Sequence, residues 1–239
     1  MHKLIAFLMV SVALAGCTGG GQGNGGDDGH DHGDHAHGGN VPDDLGEPFE
    51  APDEFPGRET DGPDPATLPV PEWRAGDYWN FTYGEAWVRY LVLGEETRDG
   101  KAVYRVNVTR GPGPASMGNV AFAEKDNLGV VGIEQNGFNV TFGCALGRLL
   151  PVMDDERSCD GPFGYGQVNE TRFVEGWHTF ETPRGDVDGV LVTIITDDGR
   201  TVRQARTWYA PDVGYRLAFM EPTGETFVLS DWNWQAGDA

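Results

Sequence analysis

The sequence contains few of the residues on which most enzyme active sites depend. Of its six histidines only His178 lies after residue 72, and that part of the chain has three serines, none of them in a Gly-x-Ser-x-Gly setting. No glycine-rich loop is followed by a helix that could hold a phosphate group. We therefore expect a protein that is not an enzyme and requires no cofactor.

Positive charge is also scarce. The 239 residues include 38 Asp and Glu against 17 Lys and Arg, which gives a formal net charge of −21 at pH 7. A surface of this sign repels a phosphate backbone, so we expect no nucleic acid among the partners. An acidic surface suits salty surroundings, which screen its charge. A codon bias is the alternative explanation and would produce the same residue counts without selection.

The N-terminus has an apolar run that is too short for an ordinary transmembrane helix, which needs about 20 residues. Residues 4–15 are apolar except for Ser11 and follow a short basic start, a pattern typical of a signal peptide. The run ends in Leu14-Ala15-Gly16-Cys17, which resembles the lipobox of prokaryotic lipoproteins. That resemblance implies a signal peptide over residues 1–16, acyl chains on Cys17, and a position outside the cytoplasm with the membrane as partner. A chance cysteine beyond an ordinary cleavage site is the alternative.

Cysteine occurs three times. If Cys17 is acylated, Cys144 and Cys159 remain as an even pair, which predicts one disulfide in an oxidising compartment. Two buried free thiols are the alternative if the protein is not exported. No Cys-x-x-Cys motif indicates redox chemistry or a zinc knuckle.

Residues 17–72 contain little that could form a core. After Cys17 the stretch has 14 Asp and Glu, with Arg58 as its one basic residue, and it is rich in glycine and proline. Self-repulsion and lack of burial predict an extended, disordered tether that spaces a domain from the membrane.

The tether carries a cluster of histidines interleaved with aspartates. Neutral imidazole is a good ligand for Zn²⁺, and carboxylates can complete the coordination shell. The cluster, which looks like the His-rich loops of zinc-uptake proteins, comprises His30, Asp31, His32, Asp34, His35 and His37. We expect Zn²⁺ binding here; a solvated tether without selected affinity is the alternative.

Residues 73–239 have the pattern of an antiparallel β domain. All seven tryptophans and all seven tyrosines lie in this part. Apolar and polar residues alternate, as in Trp79-Asn80-Phe81-Thr82-Tyr83, which indicates strands with one wet face. Turn signals such as Asp99-Gly100 and Asp198-Gly199 separate the runs. We predict a meander of eleven or twelve strands forming a barrel, a half-barrel or a sandwich, with the half-barrel preferred.

One segment of the domain predicts a short helix instead. Between Ala145 and Met153, apolar side chains recur at 3- and 4-residue spacing. These side chains, Leu146, Leu149, Leu150 and Met153, are our candidates for the wall of a ligand cavity. The helix would either cap one end of the sheet or form a lid.

Two motifs near the C-terminus carry a resemblance. The segment Trp208-Tyr209-Ala210-Pro211-Asp212-Val213-Gly214-Tyr215, with the turn Thr182-Pro183-Arg184-Gly185-Asp186, is similar to a group of exported proteins with a WYAPxVG-type corner. Those proteins look like the LolA and LolB lipoprotein carriers. The resemblance implies an unclosed β-barrel whose concave face holds acyl chains.

Four Asn-x-Thr sequons occur where chance predicts about one. N-glycosylation of an exported surface would explain them, and so would Asn and Thr sharing the wet face of a strand. The asparagines are Asn80, Asn107, Asn139 and Asn169.

From these features we expect non-catalytic binding of an apolar or amphipathic, lipid-like ligand in the concavity of the sheet. Zinc capture by the tether is one alternative function. Surface adhesion or glycan binding is another, which a flat, polar face studded with aromatic side chains would favour.

Overall fold

The structure is a computed structural model that describes residues 57–111, 119–135, 137–160, 166–199, 201–221 and 224–235. Across these ranges thirteen strands form one antiparallel sheet. They are β1 Arg58–Thr60, β2 Tyr78–Tyr83, β3 Ala86–Arg98, β4 Lys101–Gly111, β5 Asn119–Glu124, β6 Val130–Gln135, β7 Phe138–Leu146, β8 Asp155–Asp160, β9 Gln167–Thr182, β10 Gly185–Asp197, β11 Val202–Ala210, β12 Tyr215–Met220 and β13 Thr226–Trp232. Short 3-10 turns lie at Pro65–Thr67 and Pro211–Val213. In these ranges no helix is both long and apolar enough to cross a membrane.

The order of the strands confirms an unclosed antiparallel barrel. Neighbours follow the path β1-β9-β10-β11-β12-β13-β2-β3-β4-β5-β6-β7. Two meanders, β2 to β7 and β9 to β13, are joined where β13 pairs with β2. The edge of β9 that faces away from β10 pairs with two strands. Residues 167–172 of β9 pair with β8, and residues 177–179 of β9 pair with β1.

Alternation of side chains sets the two faces of the sheet. In β2, Trp79 and Phe81 are buried while Asn80 and Thr82 are partly or fully exposed. The central strand β12 is buried at every position, because both of its faces are covered. The long strand β9 has a bulge next to Gly176, whose φ is +140°, where its register with β10 shifts. Such bulges help a long strand to coil around a core.

The concave side of the sheet is filled by the protein's own side chains. Aromatic rings dominate this core: the ring centroid of Trp73 lies 4.9 Å from Trp79, 5.1 Å from Tyr104 and 5.1 Å from Tyr215. The indole N–H of Trp73 donates to the carbonyl of Gly214 at 2.8 Å. Trp73 therefore ties the corner between β11 and β12 to the centre of the sheet.

The segment Ala145–Met153 is not helical, contrary to the prediction. Its first two residues end β7 and the rest is irregular. The backbone N–H groups of Leu149 and Leu150 donate to the carbonyl of Asn127 at 3.0 and 3.1 Å. Pro151 has no N–H and disfavours the α conformation in the residue before it, and a helix this short is marginal without other support.

Residues 57–72, which the sequence assigns to the tether, lie against the sheet. Arg58–Thr60 pairs with β9. Residues 61–72, which we call the strap, then lead to Trp73, and Leu68 of the strap packs against the core. The folded unit thus includes residues on the N-terminal side of the predicted boundary at residue 73.

Charged side chains meet at the seam between β7, β8 and β9. Arg157 of β8 forms an ion pair with Glu170 of β9 at 2.9 Å and donates to a carbonyl of β7. One carboxylate oxygen of Asp155, Oδ2, accepts from both Arg148 and Arg172. Since Arg172 is only 2% exposed, its charge needs compensation, which Asp155 supplies together with the nearby Glu170.

Candidate functional site

The four residues predicted to line a ligand cavity do not line one common space in the structure. Leu149 and Leu150 are buried in the main core. Leu146 packs in a smaller cluster that includes Cys144 and Cys159. The side chain of Met153 is 46% exposed. At this place the structure therefore has packed leucines where the sequence suggested a cavity wall.

A small cavity lies elsewhere on the concave side. Its volume is about 20 Å³, enough for roughly one water molecule. Its lining comprises Trp73, Tyr90, Val106, Ala121, Ala123, Leu128, Val130, Tyr215 and Arg216. The Tyr90 hydroxyl has no hydrogen-bond partner among the described residues, and burial raises its pKa, so it remains protonated. Drug-sized ligands occupy sites of roughly 300–1,000 Å³, so this space does not admit a lipid-like molecule as it stands.

The outer face of the sheet carries a row of polar side chains. The register places Asp231, Asn80, Arg89 and Thr109 next to one another, one each from β13, β2, β3 and β4. All four are partly or fully exposed. Because neighbouring strands are about 4.8 Å apart, the row is roughly 14 Å long. It offers a carboxylate, an amide, a guanidinium and a hydroxyl group to a ligand.

An exposed indole lies beside this row. Trp87 of β3 stands between its register partners Thr82 and Gly111 and is 39% exposed. A Cβ atom on Gly111 would lie 2.5 Å from Nε1 and Cε2 of Trp87. The indole therefore packs closely against the glycine, in space that a side chain at position 111 would fill.

The end of the polar row is held in place by side-chain contacts. Tyr78 donates its hydroxyl to Oδ2 of Asp231 at 2.8 Å, and Arg184 donates to Oδ1 at 2.9 Å. These contacts, that of Tyr78 first, hold the pKa of Asp231 below its usual range. The guanidinium of Arg89 lies 4.7 Å from the ring centroid of Tyr78. We call the resulting surface the platform; it consists of Tyr78, Asn80, Trp87, Arg89 and Asp231.

The sequons lie at exposed or half-exposed strand positions. Asn80 and Asn107, with their threonines two residues later, are on β2 and β4. Asn139 and Asn169 are exposed on β7 and β9. These positions are compatible with both predicted explanations, glycosylation and a shared wet face.

The predicted disulfide is present, with 5.9 Å between the Cα atoms of Cys144 and Cys159. Cys17 and the predicted metal ligands His30, Asp31, His32, Asp34, His35 and His37 lie outside the described residues. Within the described ranges, no group of three or more His, Cys, Asp or Glu side chains is arranged to hold a metal ion. Zinc binding by the tether and acylation of Cys17 thus stay predictions.

The platform could not be predicted from the sequence. The alternation of Trp87 and Arg89 with buried neighbours predicts a strand with a wet face, but says nothing about which strands lie beside it. Asp231 and Asn80 are 151 residues apart and become neighbours only through the pairing of β13 with β2.

No protein-family model matches the sequence, and no curated protein matches it. Two solved structures are similar to this chain. One, described as a "putative lipoprotein" from Parabacteroides distasonis, is 13% identical, with a TM-score of 0.39 over 69% of this chain and 97% of that chain. The other, described as a "putative exported protein with YmcC-like fold" from Bacteroides fragilis, is 12% identical, with a TM-score of 0.36 over 70% of this chain and 99% of that chain. Function is therefore inferred from the residues of this chain itself.

Proposed function

We propose that the β domain is a non-catalytic binding module, displayed outside the cytoplasm on a lipid anchor at Cys17, and that its platform binds carbohydrate. The observation that carries this proposal is the indole of Trp87, which packs against Gly111 and is 39% exposed at the side of a polar row.

The chemistry of the platform suits a sugar ring. A pyranose has C–H groups on its faces and hydroxyl groups around its rim. The exposed indole packs against the C–H groups. Asp231 accepts hydrogen bonds from hydroxyl groups, and the Asn80 amide both donates hydrogen bonds to them and accepts hydrogen bonds from them. Arg89 adds donors on the same row. A protein with a net charge of −21 favours a neutral carbohydrate over an acidic one.

The contacts within the platform reduce the cost of binding. Asp231 is already fixed by Tyr78 and Arg184, and Arg89 is stacked on Tyr78. Side chains that are ordered before binding lose less conformational entropy when a ligand arrives. The platform is thus prepared for a ligand rather than assembled by it.

An apolar or amphipathic ligand in the concavity is the competing function. The core is filled with aromatic rings, and its cavity of about 20 Å³ is lined mainly by apolar side chains. Such a ligand would have to displace a side chain to enter. The platform, in contrast, is partly to fully exposed among the described residues without any rearrangement.

The experiment is a binding screen of the full chain against neutral polysaccharides, followed by calorimetry with the oligosaccharides of those that bind. We expect Trp87→Ala to weaken binding at least tenfold. Gly111→Ala should also weaken it, because the new methyl group lifts the indole from the sheet. Phe173→Ala, which removes another exposed aromatic side chain on β9, is the matched control and should bind like the wild type.

Binding by Trp87→Ala at wild-type affinity would refute the platform as a carbohydrate site. So would the failure of every polysaccharide to bind. If instead a fatty acid raises the unfolding temperature of wild type and Trp87→Ala equally, while no carbohydrate binds, the competing function is favoured.

A further inference from the structure

Trp73 occupies the centre of the concave face, although it belongs to no strand. The residue is 3% exposed, and its ring is surrounded by those of Trp79, Tyr104 and Tyr215. It also lines the small cavity beside the Tyr90 hydroxyl. Its removal from this place would break no pairing between strands.

The strap that leads to Trp73 buries few of its residues against the domain. Of residues 61–72 only Pro71 is buried, and Pro65 and Leu68 are half-buried. Four prolines in the strap, at positions 63, 65, 69 and 71, have no N–H to donate. The strap is exposed along most of its length, unlike the strands that follow it.

The hydrogen bonds that hold the strap to the domain come from aromatic donors. Its carbonyl groups accept hydrogen bonds from Trp177 at Pro63 (3.0 Å), from Tyr209 at Pro69 (3.3 Å) and from Trp234 at Glu72 (3.0 Å). Aromatic donors binding the carbonyls of a proline-rich segment are also how separate peptides are bound by their receptors. The strap thus resembles a bound ligand more than a part of the sheet.

We propose that Trp73 and the strap are a displaceable occupant of a ligand site inside the half-barrel, and that this site takes a planar aromatic molecule with a hydrogen-bond donor. This goes beyond carbohydrate binding at the platform, which lies on the other face of the sheet.

The chemistry of the vacated place defines the ligand. Its walls are aromatic rings, which stack on a planar molecule. The Gly214 carbonyl, released by the Trp73 indole, accepts a hydrogen bond from the ligand. The hydroxyl of Tyr104, which accepts from the backbone N–H of Trp73 at 3.1 Å, is released as well. Indole has these properties and the same ring system as the displaced side chain, so it is the probe.

The first test uses Trp73→Gly. Calorimetry should show indole binding to this variant at least tenfold more tightly than to the wild type, where the protein's own indole competes. The site would be refuted if a folded Trp73→Gly variant bound indole no better than the wild type.

The second test keeps Trp73 and loosens the strap, and so does not depend on the folding of Trp73→Gly. Trp234→Phe removes the donor to Glu72 and should increase indole affinity several-fold. Trp232→Phe is the matched control, since the neighbouring indole of Trp232 lies under Arg184 and should leave the affinity unchanged. Equal affinities in Trp234→Phe and Trp232→Phe would overturn the role of the strap.

The third measurement follows displacement itself. Arg74 is exposed and directly follows Trp73, in a turn where its N–H donates to Asp77 at 2.6 Å. If indole expels Trp73, trypsin should cut after Arg74 several-fold faster when indole is present. Binding of indole to the wild type with an unchanged rate of cleavage at Arg74 would show that Trp73 is not displaced.

Discussion

Cys144 and Cys159 join β7 to β8, two strands between which no backbone ladder forms in the described residues. β7 ends one meander, and β8 pairs with β9 at the start of the other. The disulfide therefore crosses the gap of the unclosed barrel and links its two halves covalently.

Removal of this bridge should destabilise the domain without changing its fold. For a loop of 15 residues the chain-entropy model gives about 3 kcal/mol. We expect the double variant Cys144→Ser/Cys159→Ser to lose about this free energy of unfolding, as measured by urea denaturation. Thiol titration of the denatured, unreduced wild type should find neither cysteine reactive. Two reactive thiols would show that the bridge does not form.

The carboxylate of Asp155 should be important because two arginines share its Oδ2. Asp155→Asn removes the carboxylate that pairs with Arg172, which is 2% exposed, and leaves it only the more weakly interacting Glu170. We expect a loss of about 2 kcal/mol in the free energy of unfolding, less than for a fully buried pair because Asp155 is partly exposed. Glu96→Gln is the control, since it breaks an exposed pair with Arg105 and should change stability by about 0.5 kcal/mol or less.

Low pH should remove the stability that the Asp155 carboxylate contributes. Burial acts to raise the pKa of Asp155, but Arg148 and Arg172 outweigh it and hold that pKa below the usual range. The lowered pKa stabilises the fold above the unfolded-state value of about 3.9, and this stability is lost as the pH falls through the folded-state value. The stability difference between wild type and Asp155→Asn should therefore shrink below about pH 4. A difference that does not change with pH would contradict this.

Substitution of two glycines should distinguish the stability cost of backbone strain from that of a packing overlap. Gly214 has φ +65°, and a Cβ atom there would lie 2.5 Å from the ring of Trp234; Gly84 has φ +54° with open space around it. Gly84→Ala should cost about 1 kcal/mol through strain alone. Gly214→Ala should cost about 1–3 kcal/mol more, because the new methyl group overlaps the indole. Equal losses in thermal unfolding would show that Trp234 moves aside freely.

Cys17 is the predicted site of the lipid anchor. If acyl chains on Cys17 hold the mature protein to the membrane, Cys17→Ser should release the domain into the medium or leave an unprocessed precursor. Detergent phase partitioning of both forms is the measurement. Partitioning of the variant into detergent like the mature wild type would rule out the lipoprotein interpretation.

Zinc binding should belong to the histidine cluster of the tether. Deletion of residues 29–38 should abolish the binding measured by calorimetry near neutral pH, while deletion of residues 19–28, which has the same length and no histidine, should leave it intact. Binding should also weaken below about pH 6, because imidazolium cannot coordinate a metal. Equal affinity in both deletions would place the site elsewhere.

Local patterns were sufficient to predict most strands of the domain. The alternation in Trp79-Asn80-Phe81-Thr82 and the turn at Asp99-Gly100 depend on neighbours in sequence, which is why they could be read directly. β8 was missed because its polar sequence has no buried face of its own; it is a strand because β9 and the disulfide hold it. At Ala145–Met153 the pattern was present without the structure. The predicted helix is wrong because leucines from the end of a strand and from a loop have helical spacing by chance.

The sequence by itself determined the antiparallel β character of the domain, because this follows from local periodicity, and the cysteine count predicted a bridge on the condition that the protein is exported. Only the tertiary structure decided what lies on each face. It placed Asp231 beside Asn80, packed Trp87 against Gly111 and put Trp73 into the concave core. Each of these contacts joins residues from separate strands or segments, so it depends on strand register and chain path, which side-chain periodicity within one strand does not contain.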